Sequence, residues 1–390
     1  MFHIDYKKEA AEWHKDLLHD TCIERINEYS NLVGLAFAKT SSHDDRIKFM
    51  EISDIKDEKK LLEKPLIKNL KHYSNIDDVS LSDIEERIGD MLSFINSELD
   101  NILIGTPEQL LSIYKRIRDN YNYMISDADG KDRIELYNER SITQEGFVFN
   151  ILEKVFDYND YSSNHAYELT KRLNVSICPY CNREYIDTII DENNKKVARP
   201  DLDHYFGQKK LPLFRLSFQN LIPSGAICNR SIKGQRELDI NKHMHPYIKD
   251  DMIHFKLKMG PDLEIKCNIE AEEGTKAFNT IDFFKLKPIY SCHSNVAVKA
   301  FDIMKEYTPE YIADLVRILN GRLGQGRRTS KKKLFEIFFS EFKTDDPENE
   351  MLGNMKSDIY NSIKNIYFPM YIRIMKCYTE RAVDKHPKIW

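Results

Sequence analysis

The chain has 390 residues, of which 41% are hydrophobic and 11% aromatic, enough apolar material for two or three packed modules. Charged residues reach 31% but nearly cancel to a net charge of −5, which excludes a bulk polycation: contact with nucleic acid must come from local basic patches. Seven cysteines, an odd number, an N-terminus without an apolar signal core and no run long enough to span a bilayer lead to the expectation of a cytoplasmic protein with reduced thiols and no membrane contact.

Residues 1–165 read as a helical N-terminal domain. Tyr6 to Tyr29 carries apolar residues at helical spacing, and 41–46 and 65–78 read as loops. Ser82-Asp-Ile-Glu85 matches a capping box, after which Ile84, Ile88, Met91, Leu92, Ile95 and Leu99 repeat at three and four, predicting a helix to about Ile104. Thr106-Pro107 is the cap of the next, through Leu110, Leu111, Tyr114, Ile117 and Tyr121. Ser126 to Lys131 is acidic but lacks the closing Glu of a calcium loop and reads as a surface turn. Ser141-Ile-Thr-Gln144 opens a further helix through Phe149, Ile151, Leu152 and Val155. No internal repeat or low-complexity segment interrupts this region. Its plain role is a scaffold; a partner-docking or substrate-gating domain is the sharper alternative.

The chemistry concentrates in Cys178 to Gly234. Cys178-Pro-Tyr-Cys181 is a C-x-x-C knuckle. Tyr185 to Ile190 and Val197 to Phe206, joined by the polar 191–196 turn, predict a β-hairpin with Asp203-His204 at its end. Gln219-Asn220-Leu-Ile-Pro223 follows, then Cys228-Asn229 and a polar segment with Arg230, Lys233 and Arg236 that suits a short helix. Singly, each feature has a plainer explanation: C-x-x-C is often two buried thiols and Asp-His is usually surface. Beyond it, His243-Met-His-Pro-Tyr247 is either a ligand cluster or a turn. Ile253–Met259 and Leu263–Ile269 alternate about Gly260-Pro-Asp262 and predict a second hairpin, with Cys267 on its core face.

Residues 295–390 return to helix. Thr308-Pro309 caps one carrying Ile312, Leu315, Ile318 and Leu319. Gly321 to Lys333 is the strongest basic patch, with Arg327, Arg328 and Lys331 to Lys333 as phosphate contacts or, alternatively, a solvated loop; it is not a P-loop. Leu334 to Phe342 starts a helix, 344–350 is an acidic linker, and Tyr360 to Tyr378 is an apolar helix, kinked at Pro369, suited to a core or a homo-oligomer seam.

In order and compactness, CPYC, DLDH, QNLIPS, CN and IKG resemble the HNH (His-Me finger) nuclease family in its zinc-knuckle form, and most of all the HNH subunits of Septu-type anti-phage systems. The resemblance covers 178–234. It implies a ββα-metal nuclease module; joined to the helical regions 1–165 and 295–390 and the small extra hairpin read above, the expectation is a predominantly helical α+β protein with that module in a central domain at 166–294. It implies His204 as general base, Asp203 and Asn229 as ligands of a catalytic Mg²⁺ or Mn²⁺, Asn220 as the residue fixing the His loop, and Cys178, Cys181 and Cys228 as ligands of a structural Zn²⁺. Those residue types suit phosphodiester hydrolysis, since imidazole deprotonates water near neutral pH and a carboxylate and an amide oxygen suit a hard cation. Arg230, Lys233 and Arg236 would hold phosphates. The family's second C-x-x-C is broken by Gly225, so the fourth zinc ligand is open among His243, His245, Cys267, Cys292 and His293, or the site is three-coordinate or empty. Gly207 departs from a proline common after the His. The implied activity is endonucleolytic hydrolysis of DNA, with RNA as the alternative substrate. A non-catalytic zinc-stapled binding module and an adaptor are the rivals. The family implies an ABC or SMC-like ATPase partner.

Overall fold

In the computed structural model, residues 2–37, 78–121, 124–126, 132–135, 147–208, 211–249, 253–259, 264–322 and 328–368 are described. The readings at 41–46, 65–77, 141–146 and Pro369 lie outside them. The protein is α+β: helices dominate and the strands form small antiparallel pairs.

Helix α1 (Lys8–Phe37) buries one stripe, Ala10, Ala11, His14, Leu18, Cys22 and Ile26. It packs on α2 (Asp78–Ser97), α3 (Leu99–Ile104) and a later pair of helices. The helix foreseen from Ser82 to Ile104 differs in two ways. Ser82 lies inside α2, not at its cap, and the helix breaks at Glu98, whose φ of −101° and ψ of 9° are non-helical. Thr106 behaves as foreseen ahead of α4 (Pro107–Tyr121): the Gln109 N–H donates to its Oγ1 at 3.3 Å and its own N–H donates to Gln109 Oε1 at 2.7 Å, a reciprocal cap. A hairpin unforeseen in the sequence, β1 (Met124–Ser126) with β2 (Asp132–Glu135), follows. Helices α5 (Phe147–Val155), α6 (Tyr158–Asn164) and α7 (Ala166–Leu173) complete the layer, α6 capped by Asp157, which accepts from the Asn159 and Asp160 N–H groups.

The predicted first hairpin is corrected. Only β3 (Ile189–Ile190) and β4 (Lys196–Ala198) pair across the polar turn. The His-bearing strand β5 (Asp201–His204) turns instead to β6 (Leu221–Ser224), pairing Asp203 with Ile222 and His204 with Leu221. Burial explains the switch: β4 is exposed throughout, whereas Leu202, Asp203, His204 and all of β6 are buried. A short π-type helix, Ile227–Lys233, follows β6 directly. The second hairpin forms as foreseen, β7 (His254–Met259) with β8 (Ile265–Glu270), Leu257 opposite Cys267.

Helices α8 (Lys276–Phe283), α9 (Leu286–Ser291), α10 (Ser294–Glu306), α11 (Pro309–Arg322), α12 (Lys331–Phe338) and α13 (Gly353–Tyr367) close the other side, with α8, α9 and α10 on β8 and α13 on β7. Thr308 accepts from the Tyr311 N–H ahead of α11, as foreseen. The apolar C-terminal helix starts earlier than the sequence reading, at Gly353. The described buried apolar residues form one cluster from Phe2 to Ile363. Among the described residues no helix is long and apolar enough to cross a membrane.

Candidate active site and metal centre

Cys178, Cys181 and Cys228 are buried, and their sulfurs lie within 4.8 Å of one another. Sulfurs bound to one tetrahedral zinc at ~2.3 Å stand about 3.8 Å apart, so this group can bind a metal such as zinc. The knuckle is built for it. The Cys178 N–H donates to the Glu184 carbonyl at 2.9 Å and the Asn182 N–H to the Cys178 carbonyl at 2.8 Å, with Asn182 left-handed at φ 48°. Hydrogen bonds from the Cys178 and Cys228 thiols lower the Cys181 pKa, against the burial that raises it. Asn182 also ties the knuckle to the chain's end: its amide donates to the Pro347 and Glu348 carbonyls and its carbonyl accepts from the Leu352 N–H.

Of the open candidates for a fourth ligand, none joins the sulfurs within 4.8 Å. Cys267 faces the core and Cys292 is exposed. His243 and His245 each use Nδ1 to accept a backbone N–H, from Asp239 and Tyr247, which fits the turn reading of 243–247. Glu184, which the sequence reading passed over, stands against Gly225: a Cβ built there would lie 2.0 Å from Glu184 Oε2. That oxygen is buried without a hydrogen-bond partner; burial first, and the Cys181 charge after it, push the carboxyl above its usual range, against the Arg183 charge and the Ile227 and Ala226 backbone N–H groups.

The loop between β5 and β6 carries the second half of the site. Asn220 laces it: Oδ1 accepts from the Phe206 N–H at 2.6 Å, while Nδ2 donates to the Phe206 and Phe214 carbonyls at 3.2 and 2.8 Å. The helical layer holds the same loop from outside. His14 Nε2 donates to the Leu216 carbonyl, Ser217 donates to the Ile102 carbonyl, and Glu153 pairs with Arg215 at 2.9 Å. His204 is buried, its ring edge-on to Tyr158 at 4.4 Å. Its Nε2 meets the Arg215 carbonyl at 3.0 Å, and a carbonyl only accepts, so Nε2 carries the proton and the Nδ1 lone pair is open. Burial, reinforced by the Lys233 and Arg215 charges and opposed by that carbonyl, lowers its pKa to about 3 and keeps the ring neutral.

Side chains alternate along β5, so Asp201 and Asp203 share the face covered by the 227–233 helix. Asn229 Nδ2 donates to Asp201 Oδ2 at 3.2 Å, and Arg230 grips the same carboxylate with two hydrogen bonds. Burial works against the Asp201 anion, but those bonds outweigh it and hold its carboxyl below its usual pKa. Asp203 is spent differently. Lys233 Nζ lies 2.7 Å from its Oδ1 and 2.8 Å from the His204 carbonyl, and the Tyr180 hydroxyl donates to Oδ2 at 2.5 Å. Burial nevertheless pushes the Asp203 carboxyl above its usual range.

The structure thus brings Asn220 and His204 together on one loop and sets Asn229 beside Asp201, not Asp203; no described hydrogen bond joins the His204 ring to Asn229. Two expectations change. Asp203 is not an open metal ligand, because Lys233 neutralises it. Lys233 is not a phosphate contact, because its ammonium is buried in that pair. Arg230 is exposed but engaged with Asp201. Arg236 lies over the Phe283 ring and donates to the Ile232 and Phe283 carbonyls. Arg328 is exposed, and Arg327 lies outside the described residues. Sequence reasoning missed Asp201, whose signal was its place two residues before Asp203 on one strand, and Tyr158 and Tyr180, which had none. No protein-family model, no curated protein and no solved structure matches this chain.

Proposed function

We propose that the protein is a metal-dependent endonuclease hydrolysing phosphodiester bonds, with DNA as substrate. The observation that carries this reading is the His204 tautomer: Nε2 is committed to a backbone carbonyl, leaving a neutral imidazole with an open Nδ1 on a loop fixed by Asn220. Such an imidazole is placed to take a proton from an attacking water. Asp201 and Asn229 carry a carboxylate and an amide oxygen suited to Mg²⁺ or Mn²⁺, the Asn229 nitrogen now facing Asp201 at 3.2 Å, so the amide must turn and Arg230 release for both oxygens to meet an ion; Asp203 joins them only if Lys233 withdraws. A divalent ion held there supplies charge neutralisation at the phosphate and at the leaving oxygen. Arg230, Arg236 and Arg328 supply cations for flanking phosphates. Zinc on the three thiols is structural in this proposal. The Septu-type resemblance adds an ABC or SMC-like ATPase partner and an anti-phage role, tested by co-purification from the native host.

The test is cleavage of supercoiled plasmid and of single-stranded RNA by the full chain with Mg²⁺ or Mn²⁺. The wild-type is expected to cut DNA, and His204→Ala, which empties a buried ring position and so lowers the melting temperature, to lose at least ~100-fold of the rate when assayed well below its own melting temperature. Retained cleavage in His204→Ala refutes the assignment; cleavage of RNA alone moves the substrate class. Asp201→Asn and Asp203→Asn, titrated with Mn²⁺, tell which acid holds the ion. A second reading, a zinc-stapled nucleic-acid-binding module without catalysis, is favoured by the engagement of Asp203 with Lys233. It predicts DNA binding without cleavage.

A further inference from the structure

We infer that Glu184 is the fourth ligand of the Cys178/Cys181/Cys228 metal site, replacing the thiolate that Gly225 cannot supply. This rests on the reading that the three thiols hold zinc. Gly225 stands three residues before Cys228, as Cys178 stands three before Cys181, so the second knuckle lacks only its first sulfur. The volume a side chain at 225 would enter is already filled: a Cβ there would lie 2.0 Å from Glu184 Oε2, 2.3 Å from Cδ and 2.9 Å from Oε1. A carboxyl group therefore fills the space that a side chain at 225 would enter. The Ile227 and Ala226 backbone N–H groups act on the carboxyl, but its Oε2 is buried with no hydrogen-bond partner, a cost that coordination would remove. The backbone of Glu184 is already part of the knuckle, since its carbonyl accepts the Cys178 N–H at 2.9 Å. Three thiolates and a carboxylate carry the same four negative charges as four thiolates, and a carboxylate oxygen is an ordinary zinc donor. The carboxyl stands beside the 4.8 Å sulfur group and not inside it, so binding requires a side-chain rotation, which the three χ angles of Glu allow. The His245 Nε2 is buried and unpartnered too, but that ring packs among Tyr205, Phe206 and Tyr247; His293 is the rival, because its Nε2 is also buried and unpartnered. It sits at the head of α10, outside both knuckles.

The experiment loads the full-length apoprotein with Co²⁺ under reducing conditions and reads the sulfur-to-cobalt charge-transfer and d–d absorption, with affinity from chelator competition. Wild-type should show three-thiolate charge transfer. Glu184→Ala should lose ~100-fold in affinity, at least what altering a metal's outer-shell support costs, and change its d–d spectrum. Glu184→Ala with Gly225→Cys should regain the affinity with charge-transfer intensity higher by about one third, four thiolates against three. His293→Ala should match wild-type. Wild-type affinity and spectrum in Glu184→Ala, or the loss appearing in His293→Ala instead, overturns the inference. Absence of charge transfer in the wild-type overturns the thiol-metal reading itself.

Discussion

Replacing Lys233 with Met tests the reading that Asp203 is neutralised internally. Both side chains of the pair are about 5% exposed and 2.7 Å apart. Removing one partner of a buried pair leaves the other charge uncompensated, which costs about 3–5 kcal/mol. Methionine keeps most of the volume, so little of this is a cavity effect, and the lost bond to the His204 carbonyl is worth about 1 kcal/mol within that total. Asp203→Asn should also destabilise, because it strands the ammonium. The double variant removes both charges while Asn still accepts from the Tyr180 hydroxyl, so it should recover most of the loss, with a coupling of at least about 2 kcal/mol. Urea unfolding at pH 7.5 with chelator present, followed by circular dichroism with midpoint and slope both fitted, measures each corner of the cycle. A Lys233→Met loss below about 1 kcal/mol, or additive single effects, would refute the reasoning.

Three further outcomes are expected. Asn220→Ala removes three hydrogen bonds from the buried loop and should cost about 2–4 kcal/mol, measured by the same unfolding assay. His14 is buried and neutral, its pKa lowered to about 4 by burial. The unfolded chain binds that proton from about pH 6.5 downward, so stability is full above 6.5 and falls as pH drops toward 4, by about 3 kcal/mol for this residue. His14→Gln should flatten the slope of unfolding free energy against pH in that window, and an identical slope would sink the assignment. Cys178→Ser should lower bound zinc, measured by elemental analysis, and the melting temperature together; a variant that keeps both shows the thiols are not a structural metal site.

Helices with strong caps were readable from sequence: Thr106-Pro107 and Thr308-Pro309 start helices because local hydroxyl-to-amide bonds decide the matter. The β7–β8 hairpin was readable because alternation and a Gly-Pro-Asp turn agree. The pairing of β5 was not, because the polar 191–196 turn favours a local hairpin, while the buried face of Leu202 and His204 finds its partner in Leu221 to Ser224, across a loop. Burial decided, and burial is not local. The site divides the same way. Residue types named His204, Asn220 and the three cysteines. Which acid meets Asn229 depends on how the 227–233 helix lies across β5. That Lys233 turns inward depends on Asp203 having been buried first. Glu184 could have been found only by asking what fills the space left at Gly225.

The two halves of the site are anchored separately. The loop after His204 is held by the helical layer, through His14, Ile102 and Glu153, while the thiol side reaches Asp203 and His204 through Tyr180 and Lys233. Asn229 follows Cys228 directly, so a metal on the sulfurs fixes the start of the helix that carries Asn229, Arg230 and Lys233. The acids on β5 lie between these anchors and differ in what they cost to free. The Arg230 grip on Asp201 is exposed on the arginine side and therefore weak. The Lys233 grip on Asp203 is buried, and breaking it costs about 3–5 kcal/mol. Under the proposed function, a divalent cation would therefore meet Asp201 as the yielding acid. Engaging Asp203 as well requires Lys233 to leave, and with it the ammonium that braces the His204 carbonyl. The engagement of Asp203 and the position of His204 are thus linked through one side chain.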